Sequence, residues 1–422
     1  MIYHVRGGRK LEGSVKIGGS KNAVLPILFA TLLTRGKSIL SGVPEITDVD
    51  AVLSLLRAFG ADVRRLAPDT LEIDTNNLSY ASPCEKITRQ IRASTYLIGA
   101  CLGRFGRVEI SAFGGCSFCE RPIDLHLQAV RAFGGEVNEN EILCKQLFAN
   151  RVIFPIVSVG ATVNGLLLAS QIEDDSVLEN VAIEPHVLAL VAFLRIAGCR
   201  ISVLHTPRPT FFVRGGRLQG VKMRVIPDMI EAGTYLLSAL VTGGRVTVED
   251  IDPAHLGALF SLLKKMGADL VIKEHSATVI SCAKPYPPHA ICAPYPALPT
   301  DLSPILAAML ARYGMGTLCD TVFPKRRSFL APYHALGANF AQLDDGTISF
   351  SPADAPRADC ISVPDLRTGA GAVLYALSLN DDITVYDTQD FILRGYEHFT
   401  KKLNALGACL CDETHINRKD NT

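Results

Sequence analysis

The sequence has no excess of either charge, which limits the partners it can have. Lys and Arg number 42 and Asp and Glu also number 42 in 422 residues, so the formal net charge is zero. A chain without a net field is not drawn as a whole to nucleic acid or to an anionic membrane surface. We therefore expect no nucleic-acid or membrane partner, and any anion site must be local.

Long apolar runs are also missing. A stretch such as VLALVAFLRIAG at residues 187–198 is shorter than the roughly 20 residues that cross a bilayer. The opening residues, MIYHVRGGRKLEG, lack the apolar segment of a leader peptide. Twelve scattered cysteines in so long a chain are typical of reduced thiols. Together these features predict a cytoplasmic protein.

Common cofactor and metal motifs are absent as well. Neither G-x-G-x-x-G nor G-x-x-x-x-G-K-[ST] occurs, so dinucleotide-binding and P-loop folds are not supported. Cys116 and Cys119 have C-x-x-C spacing, but no second C-x-x-C and no H-x-x-x-H segment accompanies them, which disfavours a zinc site. Dithiol redox chemistry is disfavoured too, because the preceding segment is not a thioredoxin-like βαβ unit. We expect no cofactor and no metal.

The chain does contain one sequence pattern that is repeated six times: a predicted helix, then a glycine, then a predicted strand. LLRAFGADV is the first copy and KLNALGACL the last. The shared glycines, spaced 64 to 74 residues apart, are Gly60, Gly134, Gly198, Gly267, Gly337 and Gly407. Glycine commonly ends a helix because it adopts positive φ without steric cost. The first copy also has Val49, Val52, Leu53, Leu56 and Phe59 at helical spacing, which predicts an amphipathic helix packed on a sheet.

A second helix type, rich in small and apolar residues, lies between the copies; SKNAVLPILFATLL and DMIEAGTYLLSAL are examples. Helices that are apolar on nearly every side belong in the middle of a domain. Six units are too many for one core and divide into three plus three. The sequence therefore predicts a first lobe at residues 20–227 and a second lobe at residues 1–19 and 228–422.

Charged and polar residues collect where these helices begin. Those at the inner helices are Lys21, Asn22, Arg92, Asp228, Glu231, Asp301, Asp365 and Arg367, and those in the loops before outer helices are Arg121, Arg326 and Arg394. Taken alone, the aspartates are best explained as helix caps. Cations at a helix start oppose the helix dipole unless an anion lies between them, so the basic residues predict a highly charged ligand.

Cys116 lies in the segment FGGCSFCERP, where two glycines permit a tight exposed loop and Arg121 follows shortly. A thiol beside an arginine and a helix start is expected to have a lowered pKa and raised reactivity. The other eleven cysteines are best explained as inert thiols.

Several long motifs follow one another along the whole chain: GSKNAVLPILFATLL, IRASTYLIGA, GGCSFCERPIDLH, VSVGATVN, IPDMIEAGTYL, PTDL, PDLRTGAG and FILRGYEHF. In sequence and order these motifs resemble those of the UDP-N-acetylglucosamine enolpyruvyl transferases, whose sister family is EPSP synthase. The resemblance implies an α/β fold of two inside-out domains, each of three repeated β-α-β units, that close over their ligands. It also implies transfer of the enolpyruvyl group of phosphoenolpyruvate to the 3-hydroxyl of the sugar with release of phosphate, the first committed step of peptidoglycan synthesis.

The same resemblance implies residue roles. Lys21, Arg121 and Arg394 would hold the phosphate of phosphoenolpyruvate, with Asn22 beside them, and Arg326 and Arg367 would flank its carboxylate and the hinge of closure. Cys116 would act as acid or transient nucleophile and would be the residue that fosfomycin alkylates, while Asp301 would accept the proton of the 3-hydroxyl. Residues implied to line the UDP-sugar site are Asn22, Arg92, Arg121, Pro122, Ile123, Asp124, Leu125, Ser158, Val159, Asp301 and Val322.

The chain also departs from the family pattern. Ile156 stands where the family usually has Lys, and the loop NVAIEPH lacks the basic residue that commonly precedes EP. The loop of Cys116 reads SFCERP in place of TIGARP. Two alternatives therefore stay open: an enolpyruvyl transferase for another acceptor, such as EPSP synthase or an enzyme for a modified nucleotide sugar, and a binding paralogue that has lost turnover. A monomer is the simpler expectation, because the repeat already buries both sheets.

Overall fold

The computed structural model describes residues 1–109, 123–282 and 285–413. Within these ranges the chain forms two compact units. The first lobe consists of residues 19–109 and 123–226, and the second lobe of residues 1–18, 227–282 and 285–413. Among the described helices none is both long and apolar enough to span a membrane.

The first lobe alternates helices and short strands. The chain first forms two strands that belong to the second lobe, β1 (Ile2–Arg6) and β2 (Glu12–Lys16). The helices of the first lobe are α1 (Lys21–Ala30), α2 (Thr47–Ala58), α3 (Glu85–Gln90), α4 (Leu97–Phe105), α5 (Asp124–Ala132), α6 (Val159–Ala169) and α7 (Pro185–Ile196). Its strands are β3 (Thr34–Arg35), β4 (Lys37–Ser41), β5 (Asp62–Ala67), β6 (Thr70–Asp74), β7 (Arg107–Glu109), β8 (Glu136–Val137), β9 (Glu141–Leu143), β10 (Arg151–Ile153), β11 (Ser176–Glu179), β12 (Arg200–Leu204), β13 (Thr210–Arg214), β14 (Leu218–Gln219) and β15 (Lys222–Arg224).

The second lobe repeats this alternation. Its helices are α8 (Met229–Thr242), α9 (Gly257–Lys265), α10 (Ser303–Tyr313), α11 (Leu330–Ala335), α12 (Leu366–Ser378) and α13 (Phe399–Ala405). Its further strands are β16 (Arg245–Glu249), β17 (Asp269–Lys273), β18 (Ser276–Ile280), β19 (His289–Cys292), β20 (Thr317–Asp320), β21 (Asn339–Gln342), β22 (Ile348–Ser351), β23 (Cys360–Ser362), β24 (Asp382–Tyr386) and β25 (Cys409–Glu413). Short 3-10 turns occur at Thr31–Leu33, Arg92–Tyr96, Pro253–Leu256, Thr300–Leu302 and Ile392–Arg394.

The apolar inner helices form the interior of each lobe, and the sheets lie around them. In the second lobe α8, α10 and α12 pack against one another, and every residue of α8 except the last is buried. In the first lobe α4 packs on α6 and α1 on α7. Burying a large apolar side chain stabilises the fold by roughly 1.5–3 kcal/mol relative to leaving it in water. A helix that is apolar on every side is therefore stable only in the interior of a lobe. The α/β class and the inside-out architecture predicted from the sequence are confirmed.

The sheets of the second lobe share one strand pattern. Their orders are β2-β16-β18-β17, β19-β20-β22-β21 and β23-β24-β1-β25. In each the first two strands are parallel and the later neighbours antiparallel. The N-terminal strands β1 and β2 complete two of these sheets, because β1 pairs with β24 and β25 while β2 pairs with β16. Each unit thus extends the predicted β-α-β core by an outer helix and two further strands.

The six repeated glycines follow the outer helices α2, α5, α7, α9, α11 and α13. Their φ angles are all positive, between 85° at Gly267 and 115° at Gly198. A side chain at this φ is strained, which explains why glycine recurs at this point of the repeat.

Candidate functional site

Asp301 lies between two arginines of the second lobe. It belongs to the turn Thr300–Leu302 that leads into α10. Arg367 Nη2 donates to Asp301 Oδ2 at 3.0 Å, and Arg326 Nη1 lies 3.8 Å from Oδ1. The side chains of Arg326 and Arg367 are 1% and 4% exposed, whereas that of Asp301 is 27% exposed. The Asp301 carboxylate is therefore the accessible member of a cluster of otherwise buried charges that also contains Arg326, Arg367 and Asp365.

Arg367 is held on several sides. Its guanidinium lies over the ring of Tyr396, with Cζ 5.2 Å from the ring centre, and the Tyr396 hydroxyl is 2.8 Å from Thr234 Oγ1. Burial alone lowers the pKa of Arg367, but Tyr396 and the Asp301 carboxylate raise it above its ordinary value. Nη1 is buried and has no hydrogen-bond partner among the described residues. An unpaired buried guanidinium N–H is costly unless an acceptor reaches it, so this atom is suited to a ligand anion.

The three aspartates at helix starts divide into two kinds. Asp228 accepts from Ile230 N at 2.7 Å and Glu231 N at 3.0 Å, and Asp365 accepts from the backbone of Arg367 and Thr368, both at 3.0 Å. These two are helix caps, as the cap interpretation predicted. Asp301 instead directs its side chain to the arginines. Asp365 also lies near Arg326, with its Oδ1 3.8 Å from Nη2, but of these two carboxylates only that of Asp301 is partly exposed.

Arg394 lies in the turn Ile392–Arg394, next to the helix that carries Arg367. The buried Asp387 carboxylate accepts from Phe391 N and Ile392 N, both at 2.8 Å, and so fixes the turn. Ile392 packs closely on Gly369 of α12, where an added Cβ would lie 2.9 Å from its side chain. The turn is thereby seated on α12.

Lys21, the first residue of α1, forms an ion pair in the first lobe. Its Nζ lies 2.8 Å from Asp48 Oδ2 on α2, and both side chains are buried. Ser20 caps the same helix by accepting from Ala23 N, and Asn22 follows Lys21 in the first turn. At Lys21 the side chain of Asp48 supplies an anion beside the cation, so this helix start does not by itself require a ligand anion.

A buried amide joins three elements that carry predicted sugar-site residues. Asn164 on α6 donates from Nδ2 to Thr95 O at 3.0 Å and lies 2.7 Å from His126 Nδ1, while its Oδ1 accepts from Gly99 N. It thereby links α5, α6 and the turn Arg92–Tyr96. The candidates on or beside these elements are Arg92, Ile123, Asp124, Leu125, Ser158 and Val159.

The side chain of His126 is buried and packs closely against Gly160. It is 4% exposed, and a Cβ on Gly160 would lie 2.6 Å from its ring. Burial, followed by the charge of Arg92, lowers the pKa of His126 to about 4 against a weaker opposing effect of Asp124. A neutral imidazole has one donor and one acceptor nitrogen. Because Asn164 donates an amide N–H to Nδ1 of His126, Nδ1 is the acceptor.

Three predicted site residues, Cys116, Arg121 and Pro122, lie outside the described residues, as does Cys119. The structure also identifies residues that the sequence did not single out: Asp48, Asn164, Asp320 and Tyr396. Asn164 carried a signal, because it is a lone amide in the otherwise apolar segment VGATVNGLLLA. Asp48 and Tyr396 carried none, since their importance depends on the partner that folding brings to them.

Comparison with known proteins assigns the class and then the family. The enolpyruvyl transferase NikO from Streptomyces tendae superposes with a TM-score of 0.84 at 22% identity, covering 97% of this chain and 98% of its own. EPSP synthase from Acinetobacter baumannii superposes with a TM-score of 0.72 at 18% identity, covering 98% and 100%. The fold is therefore that of the enolpyruvyl transferases.

The family follows from the sequence matches. The model of the EPSP synthase (3-phosphoshikimate 1-carboxyvinyltransferase) family matches residues 5–403, and the chain belongs to this family. UDP-N-acetylglucosamine 1-carboxyvinyltransferase 2 of Lactococcus lactis subsp. lactis is 34% identical over 96% of this chain and 97% of its own length. The UDP-N-acetylglucosamine 1-carboxyvinyltransferase of Chlorobaculum parvum is 35% identical over 96% of both.

Proposed function

We propose that the protein transfers the enolpyruvyl group of phosphoenolpyruvate to the 3-hydroxyl of UDP-N-acetylglucosamine, the first committed step of peptidoglycan synthesis. The observation that carries the proposal is the Asp301 carboxylate held by Arg326 and Arg367, with a buried donor of Arg367 left over. A base beside cations that bind a carboxylate is what addition of a hydroxyl to an enol phosphate requires. The named relatives, matched over nearly the whole chain, support the nucleotide sugar as acceptor.

The reaction needs a base, a proton donor to carbon and cations for the anionic groups. Asp301 accepts the proton of the sugar hydroxyl as its oxygen bonds to C2 of phosphoenolpyruvate, and Cys116 delivers a proton to C3. The C2–O bond to phosphate then breaks, the Cys116 thiolate takes a proton back from C3, the departing phosphate takes the proton held by Asp301, and the enol ether and phosphate leave. We assign the carboxylate of phosphoenolpyruvate to Arg326 and Arg367, because bidentate guanidinium contacts suit that group.

Phosphate binding is assigned to Lys21, Arg121 and Arg394, with Asn22 beside Lys21. Lys21 already has the carboxylate of Asp48 as a partner, which orients its ammonium group. Arg394 sits in a turn that Asp387 fixes through two backbone hydrogen bonds. A fixed cation loses little freedom when a phosphate binds, which favours binding.

The UDP-sugar is assigned to residues of the first lobe together with Asp301 and Val322. Those of the first lobe are Asn22, Arg92, Arg121, Pro122, Ile123, Asp124, Leu125, Ser158 and Val159. Ser158 and Val159 begin α6, where backbone N–H groups and the helix dipole favour an anionic diphosphate. Ile156, two residues before Ser158, is 64% exposed and adds no charge to this helix start. Affinity for the diphosphate then depends on backbone donors and on Arg92 and Arg121.

The test is phosphate release from phosphoenolpyruvate against a panel of acceptors. UDP-N-acetylglucosamine, other UDP-sugars and shikimate 3-phosphate are each supplied at saturating phosphoenolpyruvate. The proposal predicts the highest kcat/KM with UDP-N-acetylglucosamine. Phosphate release only with shikimate 3-phosphate or with a different sugar would assign the alternative acceptor. If none of the acceptors gave phosphate release, the protein would be a paralogue without this activity.

We also propose that the enzyme works in the cytoplasm as a monomer. Both proposed substrates carry several charges and do not cross a bilayer unaided. The enzyme should therefore work in the compartment where these substrates are made, which supports the cytoplasm. The repeat in each lobe covers its own inner helices, so no second copy is needed to bury them. Sedimentation velocity at micromolar concentration should give one species with the mass of a single chain.

A further inference from the structure

A buried carboxylate that no assigned role uses lies beside the Asp301 cluster. Asp320 is the last residue of β20 and is 5% exposed. Its Oδ1 accepts from Val322 N at 3.1 Å and Phe323 N at 2.9 Å. Its Oδ2 accepts from the Thr300 hydroxyl at 2.5 Å. One side chain therefore fixes the loop after β20 and, at the same time, the turn that contains Asp301.

The turn is tied to the same loop a second time. Arg326, which follows in that loop, donates from Nη1 to Thr300 O at 2.9 Å. Both the hydroxyl and the carbonyl of Thr300 are thus occupied by groups of the Asp320–Arg326 segment. The residue next to Thr300 in the chain is Asp301, so these two bonds determine where the Asp301 carboxylate lies relative to the arginines.

Geometry of this kind matters because a base acts only within hydrogen-bond reach of the proton it takes. Displacing reacting groups by about 1 Å can cost roughly 10²-fold in rate. The side chain of Asp301 is 27% exposed, whereas those of Arg326 and Arg367 are almost fully buried. Its position therefore depends on the backbone turn, which Asp320 anchors, as well as on its contacts with Arg326 and Arg367.

We propose that Asp320 is a positioning residue that holds Asp301 in place for proton abstraction through the Thr300 hydroxyl, and that Thr300 is the essential intermediary. The inference rests on the proposed function, since it gives Asp301 the role of base. Neither Asp320 nor Thr300 touches substrate in this scheme.

The test compares substitutions of Thr300 that differ only in the hydroxyl. Thr300→Val keeps the branched shape but cannot donate to Asp320, whereas Thr300→Ser retains the hydroxyl. Thr278→Val is the matched control, because Thr278 also shares a side-chain hydrogen bond, with Thr247 at 2.8 Å, on a strand of the same lobe. We expect Thr300→Val to lower kcat by about tenfold with KM for both substrates within about twofold, and Thr300→Ser and Thr278→Val to stay near the parent.

Equal losses in Thr300→Val and Thr300→Ser, or kcat of Thr300→Val within about twofold of the parent, would overturn the inference. Crystal structures of the parent and both Thr300 variants test it without any substrate. The 3.0 Å contact from Arg367 Nη2 to Asp301 Oδ2 should be lost in Thr300→Val and kept in Thr300→Ser. An unchanged contact in Thr300→Val overturns the positioning role, whereas a parent that is inactive on UDP-N-acetylglucosamine contradicts the proposed function alone.

Discussion

The guanidinium of Arg367 and the carboxylate of Asp301 are joined by a hydrogen bond of 3.0 Å between Nη2 and Oδ2. The residue proposed to bind the carboxylate of one substrate therefore orients the residue proposed to deprotonate the other. Because Arg367 is buried and Asp301 partly exposed, a proton can reach the carboxylate while the cation stays fixed. Binding and proton transfer are coupled in this pair.

The first prediction concerns the base. Asp301→Asn preserves the shape of the side chain and removes its ability to take a proton, so kcat should fall roughly 10²–10⁴-fold. Asp382→Asn serves as the control, because it removes an exposed carboxylate paired with Arg6 and should leave turnover unchanged. Steady-state kinetics and thermal unfolding measure both effects. Near-parental turnover in Asp301→Asn would rule out a base at this position.

The second prediction separates the structural and functional roles of Lys21. Lys21→Met leaves the buried Asp48 without its ion-pair partner and should lower the free energy of unfolding by about 3 kcal/mol. Adding Asp48→Asn removes the buried negative charge and should recover most of that loss. Turnover should stay low in both variants if Lys21 binds phosphate. Recovery of turnover together with stability in the double variant would show that Lys21 acts only through the fold.

The third prediction concerns pH and His126. The unfolded chain protonates this residue at its ordinary pKa of 6.5, whereas burial first, then Arg92, lowers the pKa in the folded protein to about 4. Below pH 6.5 the unfolded state therefore binds the extra proton. The stability that neutral His126 contributes is full above that pH and falls by roughly 3 kcal/mol as pH drops to 4.

Urea unfolding at pH 7 and pH 5 measures this dependence. His126→Gln should flatten the change between the two pH values, since glutamine can accept from Asn164 and does not titrate. His205→Gln, at an exposed position, is the control and should keep the parental slope. A His126→Gln protein with the same slope as the parent would place the titration elsewhere.

The fourth prediction concerns Cys116 and fosfomycin. Cys116→Ala should abolish covalent labelling by the drug, whereas Cys360→Ala, at an exposed thiol, should not. Burial raises the pKa of Cys101 and of Cys292, which disfavours the thiolate that would react. Intact-mass spectrometry after incubation gives the readout. Persistent labelling of Cys116→Ala would remove this residue from the site.

The repeat made most of the fold predictable. The helix-glycine-strand repeat is a local signal, because a glycine with positive φ follows each outer helix. Such a helix end depends on the local sequence and not on tertiary contacts. The inner helices were recognisable from composition, since a helix apolar on every side must be buried. The identity of β1 as an inner strand of the sheet with β24 and β25 depends on pairing across nearly the whole chain. No local pattern specifies such a pairing.

The resemblance named residues of the candidate site, but it did not give the contacts between them. Resemblance indicated Asp301, Arg326 and Arg367, and the structure adds that they form one cluster. The partners that orient them, Tyr396 and Asp320, could not be inferred from spacing. For Lys21 the physical argument from the helix dipole was sound, but it could not tell whether the anion would be a ligand or the side chain of Asp48.

The most direct test of the account is the identity of the product. Purified protein is incubated with phosphoenolpyruvate carrying a carbon-13 label in its three carbons and with UDP-N-acetylglucosamine, and the nucleotide sugar is analysed by mass spectrometry and NMR. The account predicts a labelled enolpyruvyl ether at the sugar 3-oxygen and an equal amount of released phosphate, both formed roughly 10²–10⁴-fold more slowly by Asp301→Asn. Unmodified UDP-N-acetylglucosamine after complete incubation, with shikimate 3-phosphate converted in a parallel incubation, would contradict it.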